Sequence, residues 1–223
     1  ILPTADGTVG QFLKTDGSLA LGFATVAVTG FSDIQFLTAS QTYTVPTGIT
    51  KIVIDLVSGG GGGGGGDGPT YSSGGSAGSN AIKSLVVSVG QTYTLVVGAA
   101  GAGGTGGASG GDGGTSSFVN LSGTTVNLQC TGGGAGHYNA YADAGGVATG
   151  GGLNIDGSTS SGPSAGQANM AMAGPTRWGF PSGWGSNGTT AAQDGVGYGA
   201  GGCAAYATAS ALGAAGRPGL CRD

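Results

Sequence analysis

His137 is the residue of this sequence best suited to acid–base chemistry, because imidazole titrates near neutral pH and the chain has no other histidine. A serine nucleophile would need this histidine with an aspartate such as Asp143 or Asp156, since the chain contains no glutamate. No nucleophile elbow, a strand followed by a sharp turn and a helix, is predicted around any serine. The sequence therefore predicts that the protein is not an enzyme.

Cofactor and metal sites are equally poorly supported. The glycine runs match phosphate-loop patterns, but no helix-forming segment follows them, and a phosphate loop needs a helix N-terminus. Asp67 and Asp112 lie within glycine loops and could ligate a hard cation, although solvated turn residues are the favoured interpretation. We expect neither a cofactor nor a metal.

Three cysteines, Cys130, Cys203 and Cys221, form an odd set without the spacing of a metal site. Small, buried apolar side chains are the favoured interpretation for each of them. A disulfide between Cys203 and Cys221 is the alternative.

The charge of the chain excludes several classes of partner. Six Lys and Arg residues against ten Asp give a net charge of −4. Such a chain lacks the basic surface that nucleic-acid binding requires. No apolar run reaches the length of about 18 residues that a membrane-spanning helix needs, so no membrane insertion is expected. No signal peptide is visible, although the chain starts at Ile1 rather than Met.

Aromatic side chains in two loop inserts, 137–141 and 170–184, are the best candidates for binding. Loop aromatics provide rigid contact area, and Trp and Tyr are enriched in binding hot spots. The alternative is that they cover the ends of glycine-rich layers, which have no side chains of their own. The candidate binding residues, with one neighbouring arginine, are Trp178, Phe180, Trp184, Arg177, His137, Tyr138 and Tyr141.

Glycine supplies 55 of the 223 residues, including the consecutive glycines 59–66, yet hydrophobic residues make up 38% and charged residues only 7%. A disordered chain has the opposite balance. Proline is too rare and the repeat too irregular for collagen. Because Asp favours turns while Glu favours helices, the absence of Glu also argues against helix. The sequence predicts an all-β fold: short antiparallel strands plus a bundle or sandwich of glycine-rich, left-handed three-fold helices of polyglycine-II type, with essentially no α-helix.

Strand patterns lie between the glycine blocks. We predict strands at 34–37, 42–45 and 51–57, the last with Ile52, Ile54 and Leu56 on one face, and a turn at 46–48. Two hairpins are expected, one joining 81–89 to 92–97 around Gly90-Gln91 and one joining 117–121 to 124–130 around Ser122-Gly123. Tyr43, Tyr93 and Phe36 are expected in the core.

The predicted organisation is a connector at 1–33, with a turn at 15–17, followed by a glycine-rich domain at 34–223. Within that domain, 34–131 is the β-rich part, and 132–223 contains glycine-rich layers with projecting loops. Projecting loops on a rigid scaffold are the usual location of binding residues.

Specific motifs occur in a fixed order: TYTVPTGITKIVIDLVSGGGGGGG, LVVSVGQTYTLVVGAAGAGGTGG, GGDGGTSSF and CTGGGAG. This succession resembles the glycine-rich domain of bacteriophage tail-fibre proteins, the distal adhesins, over about 36–219. The preceding GQFLKTDGSLALGFATV is similar to connectors upstream of such domains. One departure is the C-terminus, where relatives commonly close with an apolar strand and this chain ends GLCRD.

The resemblance implies a virion protein of the tail fibre, which binds a bacterial surface receptor and mediates host attachment without enzymatic activity. It also implies association with other fibre subunits as a homotrimer. The receptor could be a polysaccharide or an outer-membrane protein. The alternative function is a purely structural module of the fibre. An ice-binding bundle is a third class, disfavoured because its flat face would not tolerate irregular aromatic inserts.

Overall fold

The computed structural model consists of two compact units, residues 1–34 and 35–223. Its described residues form β-strands, turns and extended segments and contain no helix, which confirms the predicted all-β class. The residues that it describes are 7–9, 11–15, 17, 21–25, 33–67, 72–120, 127–162, 172–181, 186–187, 192–206 and 211–222.

The first unit is a hairpin of β1 (Gln11–Thr15) and β2 (Leu21–Thr25), paired antiparallel. Gly17 has φ +84°, the left-handed conformation that the predicted turn requires and that glycine adopts without strain. Every side chain of β1 is exposed, including Phe12 and Leu13. A two-stranded hairpin is only marginally stable by itself in water, so this unit needs further contacts.

The second unit contains two five-stranded antiparallel sheets, in which the strand orders are β10-β9-β8-β7-β4 and β11-β6-β5-β16-β3. Two further strand pairs lie outside them, β12 with β14 antiparallel and β13 with β15 parallel. The strands are β3 (Phe36–Leu37), β4 (Gln41–Thr44), β5 (Lys51–Val57), β6 (Asn80–Val86), β7 (Thr92–Val96), β8 (Ser116–Asn120), β9 (Asn127–Cys130), β10 (Ala148–Thr149), β11 (Leu153–Ile155), β12 (Gly179–Phe180), β13 (Ser186–Asn187), β14 (Val196–Gly197), β15 (Ala205–Tyr206) and β16 (Leu220–Arg222).

The hydrophobic core lies between the two sheets. Alternation along β5 turns Ile52, Ile54 and Leu56 inward, as predicted. From the opposite sheet, Tyr93 stacks on Phe118 with ring centroids 4.6 Å apart. The predicted core positions of Tyr43 and Tyr93 are confirmed, as is the turn at 46–48, where Gly48 has φ +88°.

Phe36 does not lie in the core, and that prediction is wrong. Its side chain is 59% exposed, whereas its neighbour Leu37 packs against the core. Both residues form β3, a two-residue strand at the edge of a sheet. Because neighbouring side chains on a strand point to opposite faces, only one of them can face inward.

The hairpin predicted around Gly90-Gln91 is also wrong. The first strand, β6, pairs with β5 and β11, whereas β7 pairs with β4 and β8 in the other sheet. Gly90 does form a turn, with φ +79°, but this turn carries the chain from one sheet to the other. The inward faces of both strands thereby meet across the core.

The second predicted hairpin is confirmed, because β8 and β9 pair antiparallel with Ser116 opposite Cys130. Its expected turn at Ser122-Gly123 lies outside the described residues.

The glycines 59–66, here called the central run, form the axis of the glycine-rich part. The amides of successive glycines donate hydrogen bonds to three different antiparallel neighbours in turn, and the fourth glycine returns to the first neighbour. These neighbours are 108–114, 211–217 and 73–76. Their carbonyls accept from three parallel neighbours, 101–104, 133–136 and 202–205. Each neighbour is contacted at every third residue, which is the period of an extended three-fold helix. The left-handed polyglycine-II form of these segments stays a prediction.

Side chains are excluded from the central run by close backbone approach. A Cβ atom added at any residue from 59 to 65 would lie 1.9–2.7 Å from a carbonyl oxygen of a neighbouring segment. Real Cβ atoms do not approach backbone atoms so closely. Glycine is therefore required here by packing between segments, rather than by unusual backbone angles.

All three cysteines are buried, reduced thiols, so the favoured interpretation is confirmed and the alternative Cys203–Cys221 disulfide is not formed. Burial raises the pKa of the Cys130 thiol from 9.0 to about 12. Burial also raises the pKa of Tyr93.

We predict that the protein loses stability at alkaline pH. A thiol whose pKa is raised in the folded state stabilises that state fully below the unfolded pKa, and this contribution disappears as pH rises towards the folded pKa. The urea concentration at the unfolding midpoint should therefore decrease as the pH is raised from 9 to 12. Cys130→Ala should make the midpoint less dependent on pH. An unchanged midpoint up to pH 11 would contradict the prediction, as would labelling of native Cys130 by iodoacetamide at pH 8.

Candidate functional site

Several chain reversals of the glycine-rich part meet at the end farthest from the two five-stranded sheets. Gly59, at the start of the central run, lies beside residues near β8 and β9, while Gly65 and Gly66 lie beside Ala108 and Ala211. We call this end the distal surface. Its described polar and aromatic residues include Asp67, Ser109, His137, Tyr138, Tyr141 and Asp143.

His137 connects two of these reversals through both ring nitrogens. Nε2 lies 2.9 Å from Asp143 Oδ2, and Nδ1 lies 3.0 Å from Ser109 Oγ. The histidine side chain is 30% exposed and that of Asp143 is 58% exposed. Because both nitrogens have partners, the orientation of the imidazole ring is fixed.

Three serines at a spacing of three bind the segment 131–143, two of them the loop that contains His137 and the third the residue after β9. Ser73 Oγ accepts a hydrogen bond from the His137 amide at 2.8 Å. Ser76 Oγ donates to the Asp143 carbonyl at 2.5 Å, and Ser79 Oγ donates to the Thr131 carbonyl at 3.1 Å. Sequence reasoning missed these serines, although their regular spacing in SSGGSAGS was a usable signal.

The two tyrosines of the loop have different roles. The Tyr138 hydroxyl donates to the Asp67 carbonyl at 3.1 Å, which connects a third reversal to the other two. Tyr141 is 75% exposed, and its ring lies against the backbone of Gly162, where an added Cβ would be 2.0 Å from the ring carbon Cδ1.

The Trp178 segment lies elsewhere. The Trp178 ring is half-buried, with the guanidinium carbon of Arg222 5.1 Å and that of Arg177 5.5 Å from its centroid. Its indole Nε1 is buried, with no hydrogen-bond partner among the described residues. Phe180, two residues later, is 67% exposed.

Trp178 covers a buried polar cluster. Asp55 is 2% exposed although it lies on the outer face of β5, and its Oδ1 accepts a hydrogen bond from Asn80 Nδ2 at 2.6 Å. Arg222 Nη2 lies 3.9 Å from Asp55 Oδ2. The guanidinium of Arg222 is thus placed between the indole and the carboxylate.

The sequence profile of a glycine-rich domain matches residues 37–221, which is nearly the whole of the second unit. The chain belongs to this glycine-rich domain family. A comparison with curated proteins finds none that matches the chain.

The two groups of candidate residues in this glycine-rich domain do not form one site. The Trp178 carbonyl accepts from Tyr198, next to Gly199, which packs on Val57 before the central run. His137 instead lies beside Gly64, near the end of the run. Seven residues of extended three-fold chain span about 20 Å. Trp184 lies outside the described residues.

Hydrogen-bonded Ser, His and Asp side chains are the components of a nucleophilic site. In the glycine-rich domain, however, Nδ1 rather than Nε2 faces the serine, and Ser109 lies exposed in a glycine turn. The same contacts join separate chain reversals. We therefore interpret Ser109, His137 and Asp143 as a structural tie. Asp156, the other aspartate considered, accepts a hydrogen bond from the Ala148 amide at 3.0 Å.

Among the described residues of the domain, no group of three or more His, Cys or Asp side chains is arranged to hold a metal ion. Asp112 Oδ1 accepts a hydrogen bond from the Ala135 amide at 2.8 Å, and this bond joins two neighbouring glycine-rich segments. No helix long and apolar enough to cross a membrane occurs in the described part of the chain.

Proposed function

We propose that this glycine-rich domain is the receptor-binding tip of a bacteriophage tail fibre and that it attaches the virion to a bacterial surface. The resemblance of its ordered motifs to tail-fibre adhesins supports the biological context. The location of the contact surface is supported by the ties at the distal surface, where His137 and Tyr138 hold three chain reversals together.

Those ties are the observation that carries the proposal. Loops that must be ordered on binding lose conformational entropy, whereas loops already held in place do not. The inner glycine segments use their backbone groups in mutual hydrogen bonds and have no side chains with which to discriminate a receptor. Side chains for recognition are available where the segments end.

The proposal includes a homotrimer through the first unit. The exposed apolar side chains of its hairpin, Phe12, Leu13 and Phe23, would be covered by the same hairpin of other subunits. The alternative function, a structural fibre module without receptor contact, needs the same assembly but no recognition at the distal surface.

Adsorption measurements with two exposed aromatic residues test the proposal. We expect Tyr141→Ala to weaken binding to host cells by tenfold or more, since a hot-spot aromatic contributes at least about 2 kcal/mol. Phe180→Ala, at a similarly exposed position away from the distal surface, is the matched control and should bind normally. Both variants should unfold at the temperature of the unsubstituted protein.

Loss of binding in Phe180→Ala, with normal binding in Tyr141→Ala, would move the contact to the Trp178 segment. Absence of binding by the unsubstituted chain to cells that the virion infects would favour the structural module instead.

A further inference from the structure

We infer that the receptor recognised at the distal surface is a neutral saccharide, held between the ring of Tyr141 and the polar groups of Asp143 and Ser109. This inference rests on the proposed function and names its ligand class. Three features of the surface support it: a supported aromatic ring, hydrogen-bonding groups of fixed orientation, and the absence of Lys and Arg among the described residues of the distal surface.

Tyr141 provides a flat platform. Its ring packs so closely on Gly162 that no other residue fits there without displacing it, while three quarters of the side chain is open to solvent. A ring supported by backbone and otherwise exposed can stack on the apolar C–H face of a sugar. Little side-chain entropy is lost in doing so, because a tyrosine has only two rotatable torsions.

Polar groups of fixed orientation are provided by Asp143, two residues after Tyr141, and by Ser109 of the neighbouring segment, both of which contact His137. A carboxylate offers about four acceptor positions, so Asp143 retains capacity for sugar hydroxyls while Oδ2 contacts His137. Ser109 Oγ contacts His137 Nδ1 and accepts from the Tyr138 amide, so this exposed hydroxyl retains one hydrogen-bonding position for a sugar hydroxyl. His137 is a positioning residue, because it contacts both groups and fixes their separation.

Charge decides between neutral and anionic saccharides. Among the described residues of the distal surface, in 105–109 and 137–143 and at Asp67, the charged side chains are Asp67 and Asp143, and none is Lys or Arg. All six cations of the chain lie in other segments, at 14, 51, 83, 177, 217 and 222. Sialylated or phosphorylated saccharides would meet only like charge here and would normally be bound by Arg or Lys.

The test uses the full chain on immobilised oligosaccharides: neutral hexose and N-acetylhexosamine oligomers beside matched sialylated and phosphorylated forms. We expect binding to at least one neutral oligomer, tenfold or more weaker binding to its anionic counterpart, and at least tenfold loss in Tyr141→Ala. Phe36→Ala, a similarly exposed aromatic position on the edge strand β3, should bind as the unsubstituted chain does. His137→Gln should weaken binding, and it should also shift the amide resonances of Ser109 and Asp143.

Preferred binding to anionic oligomers would overturn the inference, and so would binding to none. A parallel assay on host cells separates the two proposals. If periodate oxidation of the cell-surface glycans leaves adsorption intact and protease treatment abolishes it, the receptor is a protein, so the proposed function stands and the saccharide does not. If untreated host cells are not bound at all, both proposals fail.

Discussion

Gly62→Ala is expected to prevent the glycine-rich bundle from forming. The added methyl carbon would lie 1.9 Å from the Ala102 carbonyl oxygen and 2.4 Å from its carbon. That neighbour is backbone and cannot change rotamer. Gly62 is itself held on two other sides, donating to Gly111 and accepting from Gly136. We therefore expect a loss of stability above the range of about 1–3 kcal/mol that is typical of overpacking.

Gly111→Ala provides a matched control in the adjacent segment. Its added Cβ would meet Ala102 atoms at 3.4 and 3.8 Å, which is ordinary van der Waals contact. Removing glycine freedom from the unfolded chain should then stabilise the protein by about 0.4–1 kcal/mol. Thermal and urea unfolding of both variants measure the difference. Unfolding temperatures for Gly62→Ala within a few degrees of the unsubstituted protein would show that the segments can separate locally.

The fold class was predictable because it depends on composition and local period. Consecutive glycines between apolar strands can bury their backbone in few ways. Alternation of polar and apolar residues along β5 identifies the face of that strand that points to the core. Sheet membership was not predictable in the same way. The segments β6 and β7 each have a clear pattern and a turn between them, but the pattern is identical whether they pair in one sheet or face each other across the core.

The distal surface was predictable in part. Because His137 is the only histidine and Asp143 is close in sequence, that pair could be proposed from the sequence alone. Ser109 could not, since it lies 28 residues away in a glycine turn, and only the packing of neighbouring segments brings it to the imidazole.

The packing of Trp178 could not be predicted from the sequence. Its loop is rich in Gly and Pro, which favoured an exposed binding residue. The structure places it over Arg222, which follows it by 44 residues and reaches Asp55 on another strand. A long-range contact of this kind leaves no local pattern. The part that Trp178 plays in receptor contact stays a prediction, but its packing leads to a definite expectation for stability.

Trp178→Ala should destabilise the domain by about 2–4 kcal/mol, somewhat less than complete burial of a Trp would cost on removal. Truncation would further expose Arg222, whose side chain is already 35% exposed, and would weaken its attraction for the buried Asp55 carboxylate, whose other oxygen is held by Asn80. A buried charge without a close partner is costly. Phe180→Ala, two residues away and 67% exposed, should change stability by less than about 0.5 kcal/mol.

Urea unfolding of the two variants separates packing from recognition. If Trp178 is a packing residue, the folded Trp178→Ala protein still adsorbs to cells with unchanged affinity, and only its unfolding midpoint falls. If Trp178 is a receptor contact, the midpoint stays within the range of Phe180→Ala and adsorption is lost instead. Because the partly exposed Arg222 lies between the indole and the buried Asp55 carboxylate, we expect the unfolding midpoint of Trp178→Ala to fall.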